Sequence, residues 1–434
     1  MIARLRSHVP ALAVALTLSC ALRIAWVIFV HPDPVDGRFD DTAWYRGAAH
    51  YFANGDGYVN PFTGTPTAAW PPGYPVVLGV VFRALGEGLA QTYALNIAVS
   101  ALTVVVIYCI GCRLFDRRTA AIAAVAAAVW PGQVYFASLT LSEPLFTFLF
   151  SLAVLIVISV PDAGRWQGPL LVLLGGVIAA AALTRGQALL LLPLGLIGWR
   201  LAGYRWRRAI AWTMLAAIAA GAVMAPWVAR NQDKLGSPVL IATNFGPNLW
   251  IGNHDGASGT MSIAEPEPPQ PGRAGRTQGE FEVAADRLAL RKGLAYMVSH
   301  PGEEARLSLT KLRVMFESDA TALDWNSGYR PGYYTSARSE DWLRRGANGF
   351  WFAALALAAI GLLATRDRLL RDMAGLLPAI VLVWAASHVL FFGDARFHYP
   401  IVFLIALLGA RGTVVLFEAV LRPEPSLDAR YATV

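Results

Sequence analysis

The chain returns repeatedly to apolar runs of about 20 residues, the length that carries a helix across the hydrocarbon core of a bilayer. Such runs cover approximately residues 10–30, 90–112, 119–137, 144–160, 168–184, 187–201, 209–228, 347–365, 374–392 and 399–421. Backbone in lipid must satisfy its own hydrogen bonds, so each run is expected to be helical. Overall, 56% of the residues are hydrophobic and 15% charged, against about 45–50% and about 25% in soluble domains. An ordinary water-soluble protein is thereby excluded. The expected fold is an all-α polytopic membrane protein with about ten transmembrane helices, joined by loops that carry short amphipathic helices. Residues 73–85 are apolar but short for a crossing and read as a re-entrant or interfacial helix. The first run follows Arg4 and Arg6, outlasts a signal-peptide core and lacks a clear small-x-small cleavage site, so it reads as an uncleaved span.

Basic residues give this topology its orientation. Alternate connections carry Arg113, Arg117 and Arg118, then Arg165, then Arg200, Arg205, Arg207 and Arg208, then Arg366, Arg368 and Arg371, with Arg422 after the last span. Those are the expected cytoplasmic loops, with both termini inside a multi-pass protein of the inner (plasma) membrane. The formal charge of +7 follows from them and needs no nucleic acid as partner. Cys20, Cys109 and Cys112 lie in or beside apolar runs and offer no disulfide framework, and the C-x-x-C they contain has no second ligand pair for zinc.

Two long connections are then external. Residues 31–72 form a first outer loop within an N-terminal bundle of residues 1–228. Residues 229–346 form an extracytoplasmic subdomain, and residues 347–434 hold the last spans and a short tail. The subdomain contains a proline-rich stretch, Glu265 to Arg276, with no core-forming power, followed by helical spacing over Gly279–Val298 and Leu307–Phe316.

The isolated charges on the outer side are the candidates for chemistry. Asp40 and Asp41 precede a short amphipathic helix with Trp44, Ala48, Tyr51 and Phe52 on one side and Asn54-Gly55 as its stop. One aspartate suits the N-cap; two exceed what a cap needs. Glu143, in Leu141-Ser142-Glu143-Pro144, sits where a span begins, with Ser142 or Glu143 as cap. Arg185, Arg230, Arg396 and His398 lie at other outer span ends, where a positive-inside protein does not collect arginine. Taken singly, each reads as a helix cap or a snorkelling end residue; taken together, they read as a site of carboxylates and guanidiniums. Sugar transfer from a lipid phosphate to a hydroxyl calls for that pair: a carboxylate to take the proton, and cations to hold the departing phosphate. Direct displacement would place base and phosphate on opposite faces of the sugar and invert the anomeric centre.

In these motifs the sequence resembles the polytopic glycosyltransferases of the GT-C superfamily, in particular bacterial relatives of protein O-mannosyltransferases and of the lipid A aminoarabinose transferase. The resemblance rests on Asp40-Asp41 with Trp44-Tyr45, Pro71-Pro72-Gly73-Tyr74-Pro75, Leu141-Ser142-Glu143-Pro144, Pro226-Trp227 with Arg230-Asn231, Gly252-Asn253, and Arg396 with His398. It implies a polyprenyl-phosphate-linked sugar donor, transfer on the outer face of the cytoplasmic membrane to a lipid, glycan or protein acceptor, and a catalytic aspartate that is Asp40 or Asp41. Glu143 would be the second acidic position. Tyr45, Tyr74, Arg185, Arg230, Asn253, Arg396 and His398 would bind substrate. Some branches hold a divalent metal on outer-loop carboxylates, which here would be Asp40, Asp41 and Glu143. The competing class is a transporter or flippase of a lipid-linked sugar. It would place ionisable groups near the midplane, often in two related halves, whereas these candidates gather at one rim and no internal repeat is visible.

Overall fold

The computed structural model describes residues 9–30, 40–261, 267–329 and 336–421. Arg4, Arg6, Glu265 and Arg422, named above, lie outside them, as does the start of the first loop. In chain order the longer helices are α1 (Val9–Val30), α2 (Asp41–Asn54), α3 (Gly73–Leu85), α4 (Leu89–Leu114), α5 (Arg117–Val129), α6 (Pro131–Tyr135), α7 (Glu143–Ser159), α8 (Gln167–Ala182), α9 (Leu191–Leu201), α10 (Trp206–Leu235), α11 (Phe245–Gly252), α12 (Gln278–Ser299), α13 (Pro301–Phe316), α14 (Thr321–Tyr329), α15 (Ala337–Ala364), α16 (Leu376–Val389) and α17 (Val402–Leu421). Among the described residues β-structure amounts to two isolated bridges, Val59 with Pro66 and Thr260 with Gly393. The protein is an all-α polytopic membrane protein.

Every apolar run is helical, yet the runs differ in how they could cross a membrane. Among the described residues seven helices are long and apolar enough alone, or up to eight if the bent pair Arg117–Val129 and Pro131–Ser138 counts as one span. That pair turns by 49° where Pro131, which has no N–H to donate, starts a new helix after Trp130. Two of the ten expected crossings, near 187–201 and 374–392, are shorter apolar helices at Gly186–Leu201 and Met373–Val389, comparable with Gly73–Leu85. Hydropathy alone does not register the turns that shorten them.

The bundle turns apolar side chains outward as well as inward. Ile28, Val172, Leu173, Ile218 and Leu382 are exposed on these helices, as lipid requires, because packing inside a membrane relies on close backbone approach rather than on escape from water. α15 and α17 meet through Gly361 and Gly412, where a Cβ would collide with the carbonyls of Leu408 and Leu357. The one charge inside the first run, Arg23, is buried and spends one guanidinium nitrogen on Ser19 Oγ at 3.0 Å and the Ala128 carbonyl at 3.0 Å.

The long connections meet at one end of the bundle. Arg230 at the end of α10 reaches the Thr67 carbonyl, Tyr329 of α14 reaches Asp40, and the segment before α17 reaches α2. The other end is tied by arginines: Arg113 with Asp162, Arg208 with Gln167, and Arg368 with the Leu114 carbonyl. The helical spacing read over residues 279–298 and 307–316 is realised as α12, opened by a Thr277–Glu280 capping box, and as α13.

Candidate functional site

α2 is built as its sequence suggests. Asp40 is the N-cap, its Oδ1 accepting the Ala43 N–H at 2.9 Å, and Gly55 closes the helix in the left-handed region at φ 93°. Capping therefore falls to Asp40 and leaves Asp41, in the first turn, for other partners. The second Asp40 oxygen lies 3.2 Å from the Tyr329 hydroxyl, which also donates towards Thr42 Oγ1. Burial, with Asp40 and Asp41 close by, raises the Tyr329 hydroxyl well above its ordinary range, so it stays a proton donor.

Two carboxylate–guanidinium pairs stand beside this cap. Asp41 Oδ2 accepts from Arg396 Nη1 at 2.6 Å, and Asp394 Oδ2 lies 3.2 Å from Arg396 Nε. The Arg396 guanidinium rides over the Trp325 ring, 5.6 Å from its centroid. Glu143, fully buried in the first turn of α7, holds Arg185 Nη2 at 2.5 Å from Oε1 in an ion pair that lacks the alignment of a hydrogen bond; Oε2 has no hydrogen-bond partner among the described residues. Ser142 occupies the cap position of α7 without capping it. Its hydroxyl instead accepts from Arg185 Nε at 3.2 Å and from the Tyr45 hydroxyl at 3.4 Å.

Tyr45 is where the two pairs meet. Burial, then the Asp41 carboxylate, push its hydroxyl up to about 12, with Arg185 opposing and Glu143 adding to the rise. Glu143 also acts on Arg396. Tyr74 stands behind, edge-on to Tyr45 with ring centroids 5.3 Å apart and its hydroxyl 3.5 Å from Asn96 Oδ1.

Three residues expected at the site are engaged elsewhere. Arg230 donates to the carbonyls of Thr67 and Tyr58 and to Asn231 Oδ1, pinning the first loop to α10. Asn253 is buried, donating to the Leu249 and Leu390 carbonyls and accepting from Lys311 Nζ at 2.6 Å. His398 is buried against Trp351, with Nδ1 2.8 Å from the Met315 carbonyl and Nε2 2.9 Å from Asp319 Oδ1. Each sits near the loop end of the bundle, which is all its sequence position conveys. Sequence reading gave Ser142 only as a candidate cap and passed over Trp325, Tyr329 and Asp319. Trp325 and Tyr329 are four residues apart on one helix, α14, an aromatic pair that could have drawn notice.

The carboxylates do not assemble into a metal cradle: among the described residues no group of three or more His, Cys, Asp or Glu is placed to hold an ion. Asp40 faces Tyr329, Asp41 faces Arg396 and Glu143 faces Arg185, so the ligand set expected for a metal is divided among separate partners.

Residues 69–229 match the family model described as Dolichyl-phosphate-mannose-protein mannosyltransferase. That stretch contains Glu143 and Arg185 but not Asp40, Asp41 or Arg396. No curated relative matches in sequence. Among solved structures, the Archaeoglobus fulgidus oligosaccharyltransferase tethered with an acceptor peptide aligns over 95% of this chain and 50% of its own, at 16% identity and a TM-score of 0.55. The same archaeal enzyme in complex with an inhibitory peptide and a dolichol-phosphate aligns over the same shares, at 17% identity and a TM-score of 0.54. ArnT from Cupriavidus metallidurans in the apo state aligns over 94% of this chain and 78% of its own, at 17% identity and a TM-score of 0.43. The chain thus spans about half the length of the archaeal oligosaccharyltransferase. The helical order and the structural match lead to one conclusion: this is a polytopic membrane protein that shares its fold with the archaeal oligosaccharyltransferase.

Proposed function

We propose that the protein is an inverting glycosyltransferase that moves a sugar from a polyprenyl-phosphate-linked donor to an acceptor hydroxyl on the outer face of the cytoplasmic membrane. The observation that carries this reading is the pairing of Arg396 with Asp41 and of Arg185 with Glu143 around Tyr45, beside an Asp40 that has no ion-pair partner among the described residues. Two guanidiniums held by carboxylates form a ready receptor for a phosphate, whose oxygens match their donor forks. Asp41 and Glu143 each hold a guanidinium, which leaves Asp40 to take a proton.

On this reading Asp40 takes the proton of the acceptor hydroxyl as its oxygen forms a bond to the anomeric carbon. The bond from that carbon to the phosphate oxygen breaks, and the lipid phosphate leaves with the negative charge. Arg185 and Arg396 stabilise that charge, and the anomeric centre inverts. Tyr45, Tyr74 and Ser142 support the two pairs. Arg230, Asn253 and His398 act on substrate only through the framework they hold. The archaeal oligosaccharyltransferase was solved with a dolichol-phosphate, which agrees with a polyprenyl phosphate as leaving group. The arginine-tied end of the bundle would face the cytoplasm with both termini, and residues 31–72 and 229–346 would face outward. Which sugar is carried, hexose or pentose, and whether a lipid, glycan or protein accepts it, would be set by the external segment.

The test is transfer of a labelled sugar from a polyprenyl-phosphate donor by the full chain in proteoliposomes, with and without Asp40→Asn. Product that appears with the wild type and vanishes with the variant supports the reading. Full activity in Asp40→Asn overturns the assignment of the base. Donor movement across the bilayer without any glycosylated product would favour a flippase.

A further inference from the structure

A second polar site lies at the end of α10, away from the ion-paired cluster. A cavity of ≈ 720 Å³ opens between Leu235, Gly236 and Ser237 at the end of that helix, the Pro271–Arg276 stretch, and one face of α12. The volume falls within the range of small-molecule sites, roughly 300–1,000 Å³. Its charged lining is Arg276, Arg287, Arg291 and Glu280.

The charge on α12 is sorted by face. Its inward carboxylates are spent: Glu282 accepts from Thr67 Oγ1, the Ala68 N–H and Thr243 Oγ1 at 2.6–2.8 Å, and Asp286 accepts the Gly246 N–H at 2.7 Å. The one carboxylate on the cavity face, Glu280, is committed to the capping box, accepting from the Thr277 N–H at 2.9 Å. Arg287 and Arg291, one turn apart, have no carboxylate partner among the described residues; Arg287 donates to Ser237 Oγ at 2.8 Å. Arg276 enters from the preceding loop, held by the Gly272 carbonyl. Three guanidiniums from two elements thus face one hollow whose acid is already engaged, while Leu235, Val283, Leu288 and Leu290 supply an apolar side. Leu235 is also the last residue of the candidate membrane span Trp206–Leu235, so the hollow opens beside a span end, where lipid headgroups would lie.

We infer that this cleft binds the phosphate headgroup of an anionic membrane lipid, with Arg276, Arg287 and Arg291 on the phosphate oxygens and the apolar side against the first part of the chain. The site is separate from the one assigned to sugar transfer, so its occupancy can be read without any turnover.

The test titrates the full-length protein in detergent with a short-chain phosphatidylglycerol, with phosphatidylcholine of the same chains and with inorganic phosphate, reading binding by quenching of intrinsic fluorescence or by native mass spectrometry. Phosphatidylglycerol is expected to bind at least about tenfold more tightly than phosphatidylcholine. Each arginine near a charged surface contributes about 1 kcal/mol, or about fivefold, so Arg287→Gln/Arg291→Gln should weaken the anionic lipid by roughly 25-fold. Arg287→Lys/Arg291→Lys should recover only part of the loss, because lysine lacks the donor fork. Wild-type binding by the glutamine variant overturns the proposal. Complete recovery with lysine also overturns it, in favour of diffuse surface charge. Equal binding of inorganic phosphate overturns the lipid as occupant and leaves a soluble anion. Melting temperatures within a degree or so of wild type establish that both variants are folded.

Discussion

Arg396 and His398 are two residues apart in one short helical segment, Ala395–Ile401, and they belong to different kinds of polar region. Arg396 faces Asp41 and Trp325 in a cluster where, among the described residues, Glu143 retains an oxygen without a hydrogen bond and Asp40 has no ion-pair partner. His398 faces inward, with both ring nitrogens engaged. Its partner Asp319 also accepts from Trp130 Nε1 at 2.9 Å and the Gly132 N–H at 3.3 Å. The first region has hydrogen-bonding capacity to offer a ligand; the second has used its own to join α6, α13 and the segment before α17. Ionisable residues gathered at one end of the bundle therefore do not by themselves define a site. What separates the two is whether the polar atoms are already satisfied.

The sharpest break in this comparison is Asp40→Asn. Asparagine caps a helix about as well as aspartate, so α2 should persist and the melting temperature should hold. Removing a general base is expected to lower the transfer rate by about 10²–10⁴, measured with labelled donor in proteoliposomes. Wild-type turnover would mean that the open region is not where the proton goes. Asp319→Ala should do the opposite. Loss of one partner from a buried pair costs about 3–5 kcal/mol, and here it also strands the Trp130 and Gly132 donors. Thermal unfolding in detergent should shift sharply downward, and the protein that remains folded should keep most of its transfer activity. A stable Asp319→Ala variant without activity would place Asp319 in the working site and dissolve the distinction.

Arg396→Lys is a milder probe of the same contrast. It retains the charge beside Asp41 but loses the planar fork, so turnover should fall by about tenfold with little change in stability. The natural control, Arg230→Lys, alters an arginine whose bonds go to the Thr67 and Tyr58 carbonyls. There the loss should appear in the melting temperature first. If both variants behave alike, the two arginines share a role and Arg230 belongs with the cluster after all.

Local signals in the sequence conveyed the local structure. The Asp40 cap, the Asn54-Gly55 stop, the amphipathic α2 and the helical spacing around α12 and α13 all involve residues within a few positions of one another. The apolar runs conveyed the helices but not their breaks, as the bend at Trp130-Pro131 shows. Partnership was the illegible part. Asp40 and Tyr329 are 289 positions apart, Asp41 and Arg396 355. No periodicity records which of several rim charges will meet. His398 and Arg396 have the same standing in sequence; only the neighbours brought by α6 and α13 separate them. Asp319 follows Glu317 and Ser318 at a helix end, where a solvated cap is the ordinary expectation, and nothing nearby signals that Trp130 will bury it.

Lys311 offers the finest test, because its ammonium is buried and hydrogen-bonded and yet carries an unfavourable charge there. Its ammonium is almost fully buried on α13, donating to Asn253 Oδ1 at 2.6 Å and to the Val389 carbonyl at 3.0 Å, with Glu304 Oε2 at 3.8 Å. Burial pulls its pKa down to about 8 from the ordinary 10.5, with Glu304 pulling the other way. Between those values the unfolded chain binds more protons than the folded one, so stability rises with pH, by at most about 1.4 kcal/mol per unit. Below pH 8 both states are protonated and the cost of burying the charge is present in full; above 10.5 both are neutral and it is gone. Glu304 is raised by its own burial, with Lys311 pulling it down, and it is present in both proteins compared below. Melting temperature measured from pH 7.5 to 10.5 should therefore climb more steeply in the wild type than in Lys311→Met, which lacks the titrating group. Parallel curves would mean that Lys311 carries its charge without penalty, as a group with access to water does, and would move it from the closed region to the open one.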